Sequence, residues 1–392
     1  MVDAERILNE LSQTIIENEK IVNPEVIIKS ISTGGANYSS TLHLITIKSP
    51  DNEDLELFAK VASLGENIRK TMNLDRMFET ERFVYKELRE IYETLQKKNK
   101  VPEKDRLLFP KFYAIRDTYL EDTVVLENLV TKGYTCYDRL KPVTWEYAAA
   151  AVGELAKLHA LSYAFAKEDP ERFNEIAAEK KMEFSGSEED MLALWEKAVS
   201  NALEMTPEES KQRFKKFIDK YQGIDTFKKF YVSPRQPMLV HGDYRASNLM
   251  HKITDGKLER LIPVDYQTIH CGSPLTDLFY FIFSGTDGEF RKCYYDELID
   301  HYYNTFADFL IKLNLDPETT YPREHFDEDF KNSLPYGLLV IVFLLPIVLI
   351  EAHNAPKMDG DAAITDFIVK PNEMFRERLH EAIRDFEKWG VI

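Results

Sequence analysis

Cysteine is scarce: Cys136, Cys271 and Cys293 are the only three in 392 residues, and they form neither a paired framework nor a metal-ligand spacing. A disulfide-stapled scaffold is thereby excluded, and a reducing, intracellular compartment fits. Positive charge is outnumbered, with 50 Lys and Arg against 67 Asp and Glu and a net charge of −17. Such a surface repels polyanions, so no nucleic-acid partner is expected. The opening Met-Val-Asp-Ala-Glu-Arg6 has no basic cluster and no apolar run of the secretory kind, which leads to the expectation of a cytoplasmic protein. Long unbroken apolar runs are also missing. The nearest, Leu334 to Ile350, contains Pro335, Gly337 and Pro346, so a buried helix bent at Pro346 is expected and membrane insertion is not. Neither repeats nor low-complexity tracts nor a flexible linker divide the chain, although its length exceeds one average domain.

What is present centres on residues 239 to 267. Leu-Val-His241-Gly-Asp243 runs into Asn248, a turn follows at Asp255-Gly256, and a second apolar run ends in Val-Asp265-Tyr-Gln267. The runs Met238 to Val240 and Leu258 to Val264 are of β type, so the acidic groups sit at strand ends rather than on a helix face. Transfer of a γ-phosphoryl group requires one carboxylate to orient and deprotonate an attacking hydroxyl. It also requires an amide and a second carboxylate to hold Mg²⁺ on the phosphates. Asp243 suits the first task, and Asn248 with Asp265 the second.

Upstream, Asp3 to Glu19 has the spacing of an amphipathic helix. Val26 to Ser32 and Thr41 to Lys48 read as strands joined by the turn Thr33 to Ser40. There Gly34 and Gly35 would let backbone N–H groups approach phosphate oxygens, and Asn37 and Ser39 would add side-chain donors. A full G-x-G-x-x-G is absent. Leu55 to Val61 carries Lys60 near its end, Met72 to Gln96 reads as one long helix containing Glu81, and Phe112 to Arg116 and Thr123 to Leu126 read as two more strands. In that order Lys60 is expected to reach the α- and β-phosphates, held by Glu81. The main chain at Glu127 and Leu129 is expected to meet the adenine edge.

This order predicts an α+β, protein-kinase-like fold of two lobes. Residues 1 to 126 would form a small β-rich lobe, 127 to 133 a hinge, and 134 to 392 a large, mainly helical lobe. Thr144 to Ala166 is helical by periodicity and includes His159, expected to be bonded inside helix packing. Asp277, near the start of a helix after Pro274, is expected to brace the catalytic loop or cap its helix. The aromatic residues crowding 280 to 309 read mostly as core, with some available to wall an apolar acceptor pocket.

The set Gly-Gly-Ala-Asn37-Tyr-Ser39, Phe-Ala-Lys60, Phe78-Glu-Thr-Glu81, Leu-Glu127-Asn-Leu129, Leu-His159-Ala-x-Ser162, His241-Gly-Asp243 with Asn248, and Asp265-Tyr-Gln267 resembles the ecdysteroid kinase-like (CHK kinase-like) family. Its relatives are aminoglycoside phosphotransferases and choline kinases. The resemblance implies an ATP- and Mg²⁺-dependent kinase acting on a hydroxyl of a lipophilic small molecule, such as an ecdysteroid or a xenobiotic alcohol, with a detoxifying role. Arg245 and Ser247 depart from the Trp and second Asn often found in the family's catalytic loop.

Three other readings share parts of this pattern. A protein kinase would use the same base and metal residues, but Asp265-Tyr-Gln replaces Asp-Phe-Gly and no activation segment fits before the helix near Pro274. A choline- or aminoglycoside-type kinase would need acidic or aromatic walls around a cation. A non-catalytic nucleotide- or hormone-binding module has no physical need of Lys60, Asp243, Asn248 and Asp265 together.

Overall fold

The computed structural model describes residues 3–31, 40–50, 53–62, 66–71, 73–184, 186–351 and 370–392. Gly34, Gly35, Asn37 and Ser39, expected to line a phosphate-binding turn, lie outside these residues.

Five antiparallel strands open the chain: β1 (Glu25–Ile31), β2 (Thr41–Lys48), β3 (Leu55–Val61), β4 (Phe112–Arg116) and β5 (Thr123–Glu127), in spatial order β1-β2-β3-β5-β4. Alternation decides what each face meets. Ile45 and Ile47 on β2, and Leu57, Ala59 and Val61 on β3, pack against Ile7, Leu8, Leu11, Ile15 and Ile16 of the Ala4–Glu19 helix. The intervening residues Leu42, Leu44, Phe58 and Lys60 turn to the opposite side and wall a cavity. A one-residue slip of β3 would drive the Lys60 ammonium into the helix-covered core, so the apolar stripe holds that lysine in place.

Between β3 and β4 the chain is helical from Leu74 to Lys98, but with a π-helical segment, Val84–Leu88, inside it. The expectation of one uninterrupted helix is corrected at that point. Tyr85 lies within that segment, its ring buried and edge-on to Tyr266 at 6.0 Å.

Beyond β5 the chain is mostly helical. The Trp145–Glu168 helix, N-capped by Thr144, runs through the larger core against Gly288–Lys312, and all twelve residues of the Pro274–Gly285 helix are buried. The apolar run around Pro346 is internal, as the Arg323–Phe343 helix followed by the short Leu345–Val348 helix. Among the described residues no helix is long and apolar enough to cross a membrane.

Small sheets in this part carry the loops of interest. β6 (Tyr134–Cys136), β8 (Leu249–Thr254) and β9 (Lys257–Pro263) form one, while β7 (Met238–Val240) pairs with β10 (His270–Gly272). β8 and β9 are joined at Asp255 and Gly256, both with positive φ, the backbone that a two-residue hairpin turn demands. Leu249 pairs with Pro263, and the Val264 N–H donates to the Asn248 carbonyl at 2.9 Å. The hairpin register therefore sets Asn248 and Asp265 side by side at its open end.

Candidate active site

His241 leaves β7 with its own N–H and that of Gly242 donating to the two carboxylate oxygens of Asp277, at 2.6 and 2.8 Å. The same carboxylate lies 3.3 Å from His159 Nε2, whose Nδ1 is 2.7 Å from the Tyr302 hydroxyl. Burial alone would raise the Asp277 pKa, and the hydrogen bond from His159 with the other donors outweighs it, so the carboxyl sits below its ordinary range. Asp277 thus braces the catalytic loop, and His159 is bonded inside helix packing.

Gly242 has φ +84, and a Cβ there would come within 2.4 Å of the Thr268 carbonyl oxygen. Only glycine fits the position. The Asp243 N–H donates to His241 Nδ1 at 3.3 Å, which leaves the ring proton on Nε2 to donate to the Val264 carbonyl at 3.1 Å. The imidazole ties the Asp243 loop to the strand that delivers Asp265.

Three donors converge on the Asp243 carboxylate. Asn248 Nδ2 reaches it at 2.8 Å, Arg245 Nε at 3.1 Å, and the Tyr280 hydroxyl is hydrogen-bonded to it. Burial first, and then the Asp243 charge, push the Tyr280 hydroxyl far above its usual pKa, so it remains a donor. Since Asn248 spends its amide nitrogen on Asp243, its amide oxygen is left for a cation.

On the other wall, Lys60 Nζ lies 2.9 Å from Glu81 and 2.7 Å from Asp265, with Gln267 Oε1 at 3.5 Å. Burial alone would lower the lysine pKa, but the charges of Asp265 and Glu81 more than reverse it and the ammonium is firmly held. The two carboxylates respond differently. Glu81, fully enclosed, is raised by burial despite the lysine, whereas for Asp265 the lysine outweighs burial and the carboxyl is lowered. Asp265 carries the negative charge toward the cleft. It does so at φ +67, a backbone region that costs a non-glycine residue about 1–3 kcal/mol.

A cavity of about 590 Å³ lies between the five-stranded sheet and the helical part. Lys60, Glu81, Asn248 and Asp265 line one end, and Leu42, Leu44, Phe58, Leu126 and Leu129 supply an apolar wall. Glu127 and Leu129 both border it. The Glu127 N–H is taken by the Lys111 carbonyl, and its carboxylate accepts from Lys111 N–H and pairs with Lys132, so that side chain serves the connector. Among the described residues no backbone group accepts from the Leu129 N–H.

Behind Gly242 a second space opens, about 230 Å³, walled by Met77, Thr80, Gln267 and His270. It shares Lys181, Met182 and Phe184 with a neighbouring cavity of about 440 Å³ lined by Tyr231, Val232, Pro237 and Cys271. Tyr231 donates or accepts at 2.9 Å with Tyr336.

Tyr280 was not among the residues expected from sequence. Its signal was available: it follows Asp277 by three positions on one helix, so both point to the same side. Arg245 was noted only as a departure; the structure puts it against Asp243.

A protein-family model described as the ecdysteroid kinase-like family matches residues 34–315. The chain belongs to that family. Membership makes it a small-molecule phosphotransferase. No curated protein matches the chain in sequence. Among solved structures, the GDP complex of wild-type aminoglycoside 2'-phosphotransferase-IIIa is similar with 11% identity and a TM-score of 0.44, over 96% of this chain and 99% of that one. A GDP complex of a mutant of the same enzyme gives 10% identity and a TM-score of 0.46, over 97% and 98%. The family match, and neither structure, carries the identification.

Proposed function

We propose that this family member transfers the γ-phosphate of ATP to a hydroxyl of a lipophilic small molecule, with Asp243 as the base. One observation supports the reading: Lys60, Asp243, Asn248 and Asp265, drawn from three separate stretches, lie together, with Lys60 on Asp265 at 2.7 Å, Asn248 on Asp243 at 2.8 Å, and the two pairs joined by the Val264 N–H donating to the Asn248 carbonyl at 2.9 Å.

In this reading the 590 Å³ cavity takes the nucleotide, with its apolar wall around the base and Lys60 on the phosphates. Leu129 offers its N–H to the adenine edge, and Glu127 its carbonyl. Glu81 keeps Lys60 extended. Gly34, Gly35, Asn37 and Ser39 close over the phosphates. Residues 1 to 126 act as the nucleotide-holding part, 127 to 133 as the connector, and 134 to 392 as the part that binds acceptor and carries the base.

The donor set suits Mg²⁺. Asn248 and Asp265 are hard oxygen ligands, and among the described residues no cluster of three or more His, Cys, Asp or Glu could hold a cation unaided. Magnesium is content with one or two protein oxygens, completing its shell with phosphate oxygens and water. When bound it would neutralise charge on the transferred group. The rest falls to the chain itself. The acceptor hydroxyl donates to Asp243, Arg245 and Tyr280 keep that carboxylate aimed, and Lys60 holds the phosphates in line.

For the acceptor, the paired spaces walled by Met182, Phe184, Tyr231, Val232 and Pro237 favour an apolar alcohol such as a sterol or plant terpenoid. A small polycation would find Lys181, Lys228 and Arg76 on those walls against one carboxylate, Glu183, which Arg76 already pairs. Ecdysteroids and xenobiotic alcohols both fall in the favoured class, and clearance of such compounds in the cytoplasm is the role proposed. Three free cysteines accord with that compartment.

The test is ADP release with Mg-ATP and a panel of sterols and plant alcohols, with the phosphate ester identified by mass spectrometry. Asp243→Asn should lower turnover by about 10³-fold or more while leaving ATP binding within a few fold. Full activity in that variant refutes the base assignment.

A further inference from the structure

We propose that Arg245 is the cation that stabilises the phosphoryl group in flight, an arginine finger supplied by the catalytic loop itself. The inference rests on the phosphotransfer reading above and adds a residue to it.

The geometry begins with the loop. Arg245 is two positions after Asp243, its side chain is 15% exposed, and its Nε sits 3.1 Å from one Asp243 oxygen and 3.3 Å from the other. Only Nε is spent in this way. Among the described residues neither terminal nitrogen of the guanidinium donates a hydrogen bond. An arginine holds five N–H donors in a rigid fork, and here Nε anchors the group on Asp243 while the two-nitrogen edge keeps solvent access and can take an incoming anion in place of water.

Charge points to what that group is. Arg245 touches Asp243 at 3.1 Å and also feels the charge of Asp265, so its guanidinium shares the field of the carboxylate that orients the acceptor and the carboxylate on the phosphate side. A γ-phosphoryl group must cross the interval between the two. Its charge spreads over three equatorial oxygens, and a planar fork matches two of them. Lys60, clamped by Glu81 at 2.9 Å, is already committed in that reading to positioning the nucleotide phosphates. Anchoring through Nε also explains how one residue can touch Asp243 and still present a cation forward.

The competing role is that Arg245 only steadies Asp243. The two separate in kinetics. We would measure ADP release from Mg-ATP with water as acceptor and with the alcohol panel, for wild type, Arg245→Gln, Arg245→Lys, Asp243→Asn and the double variant Asp243→Asn/Arg245→Gln. The expected result is a fall of about 10³-fold in kcat for Arg245→Gln with KM for ATP changed less than about threefold. Arg245→Lys should keep part of the rate. Arg245→Ala, assayed beside these, should regain activity with added guanidinium ion, a response that a misfolded variant cannot give. The double variant should fall well below Asp243→Asn in ATP hydrolysis, since the arginine acts on phosphate even without the base. A double variant equal to Asp243→Asn, or no rescue by guanidinium, overturns the proposal and leaves the phosphotransfer reading intact. A wild type that binds Mg-ATP and never releases ADP overturns both.

Discussion

Lys60 and Asp265 lie 205 residues apart in sequence and 2.7 Å apart in space, with Glu81 completing the ion triad at 2.9 Å from the same ammonium. The triad fastens the five-stranded sheet to the β8–β9 hairpin. Removing the lysine strands two carboxylates in a buried site, and breaking a buried pair from one side costs about 3–5 kcal/mol. Lys60→Met should therefore lower stability by about 3 kcal/mol, reduced somewhat because Asp265 reaches solvent, and should abolish tight ATP binding. Adding Glu81→Leu to that variant should recover part of the stability and none of the ATP affinity. Thermal unfolding and nucleotide titration read both; a single variant as stable as wild type would mean that the triad is not formed.

Asp277 sets a pH dependence with a definite sign. Its folded pKa is below the unfolded value, so its contribution is fully present above about pH 4 and is lost as the pH falls through the lower folded value. Asp277→Asn should cost about 2–3 kcal/mol at pH 7 and cut turnover by about 10²-fold, because the Gly242 turn loses its anchor. On acidification below pH 4 the gap in melting temperature between variant and wild type should narrow. A gap that stays constant from pH 7 to pH 3 would show that the loop is held by other groups.

Legibility in the sequence followed local physics. β2, β3 and β4 were readable to the residue, because apolar residues recur at alternate positions and those of one face, Ile45 and Ile47, Leu57, Ala59 and Val61, and Ala114, are buried under the first helix. That Lys60, Asp243, Asn248 and Asp265 would lie near one another was legible, because few chemistries ask for that combination; the contacts Lys60–Asp265 and Asp243–Asn248 show that they do. Strand β8 was not: Leu-Met-His-Lys-Ile-Thr has no regular alternation, and its partner β6 is over a hundred residues earlier. The π segment at Tyr85 was also hidden, since one inserted residue inside a helix leaves the apolar period almost unchanged. Tyr280 was read among the core aromatics, although its spacing from Asp277 on one helix was there to be used. In a helix with every residue buried, a tyrosine that reaches Asp243 looks like one more core aromatic.

Two glycines with left-handed backbone should respond differently to the same change. At Gly256, φ is +74 and an added Cβ meets nothing within 4 Å, so Gly256→Ala should cost only the conformational penalty, about 1 kcal/mol. At Gly242 the added atom meets the Thr268 carbonyl oxygen at 2.4 Å and His270 Nδ1 at 3.1 Å. Backbone must then shift where Asp243 is aimed, so Gly242→Ala should cost about 3 kcal/mol or more and lower kcat by about 10²-fold. Equal effects of the two substitutions, in melting temperature and ADP release, would remove the argument for close packing at the His-Gly-Asp turn.

The three thiols report on the cavity without any knowledge of the acceptor. Cys136 is exposed and borders the 590 Å³ cavity, Cys293 is exposed elsewhere, and Cys271 is half-buried with its pKa pushed up to about 11 by burial. The thiolate is the reactive form, so at pH 8 only about 10⁻³ of Cys271 is available to iodoacetamide and it should label slowest. Raising the pH toward 10 should increase its rate about tenfold per unit. Mg-ATP should slow alkylation of Cys136 several-fold, because nucleotide and reagent compete for the same space, and should leave Cys293 unchanged. Peptide mass spectrometry over time follows each thiol separately. If Cys136 reacts at the same rate with and without saturating Mg-ATP, the nucleotide binds somewhere other than the cavity between the sheet and the catalytic loop.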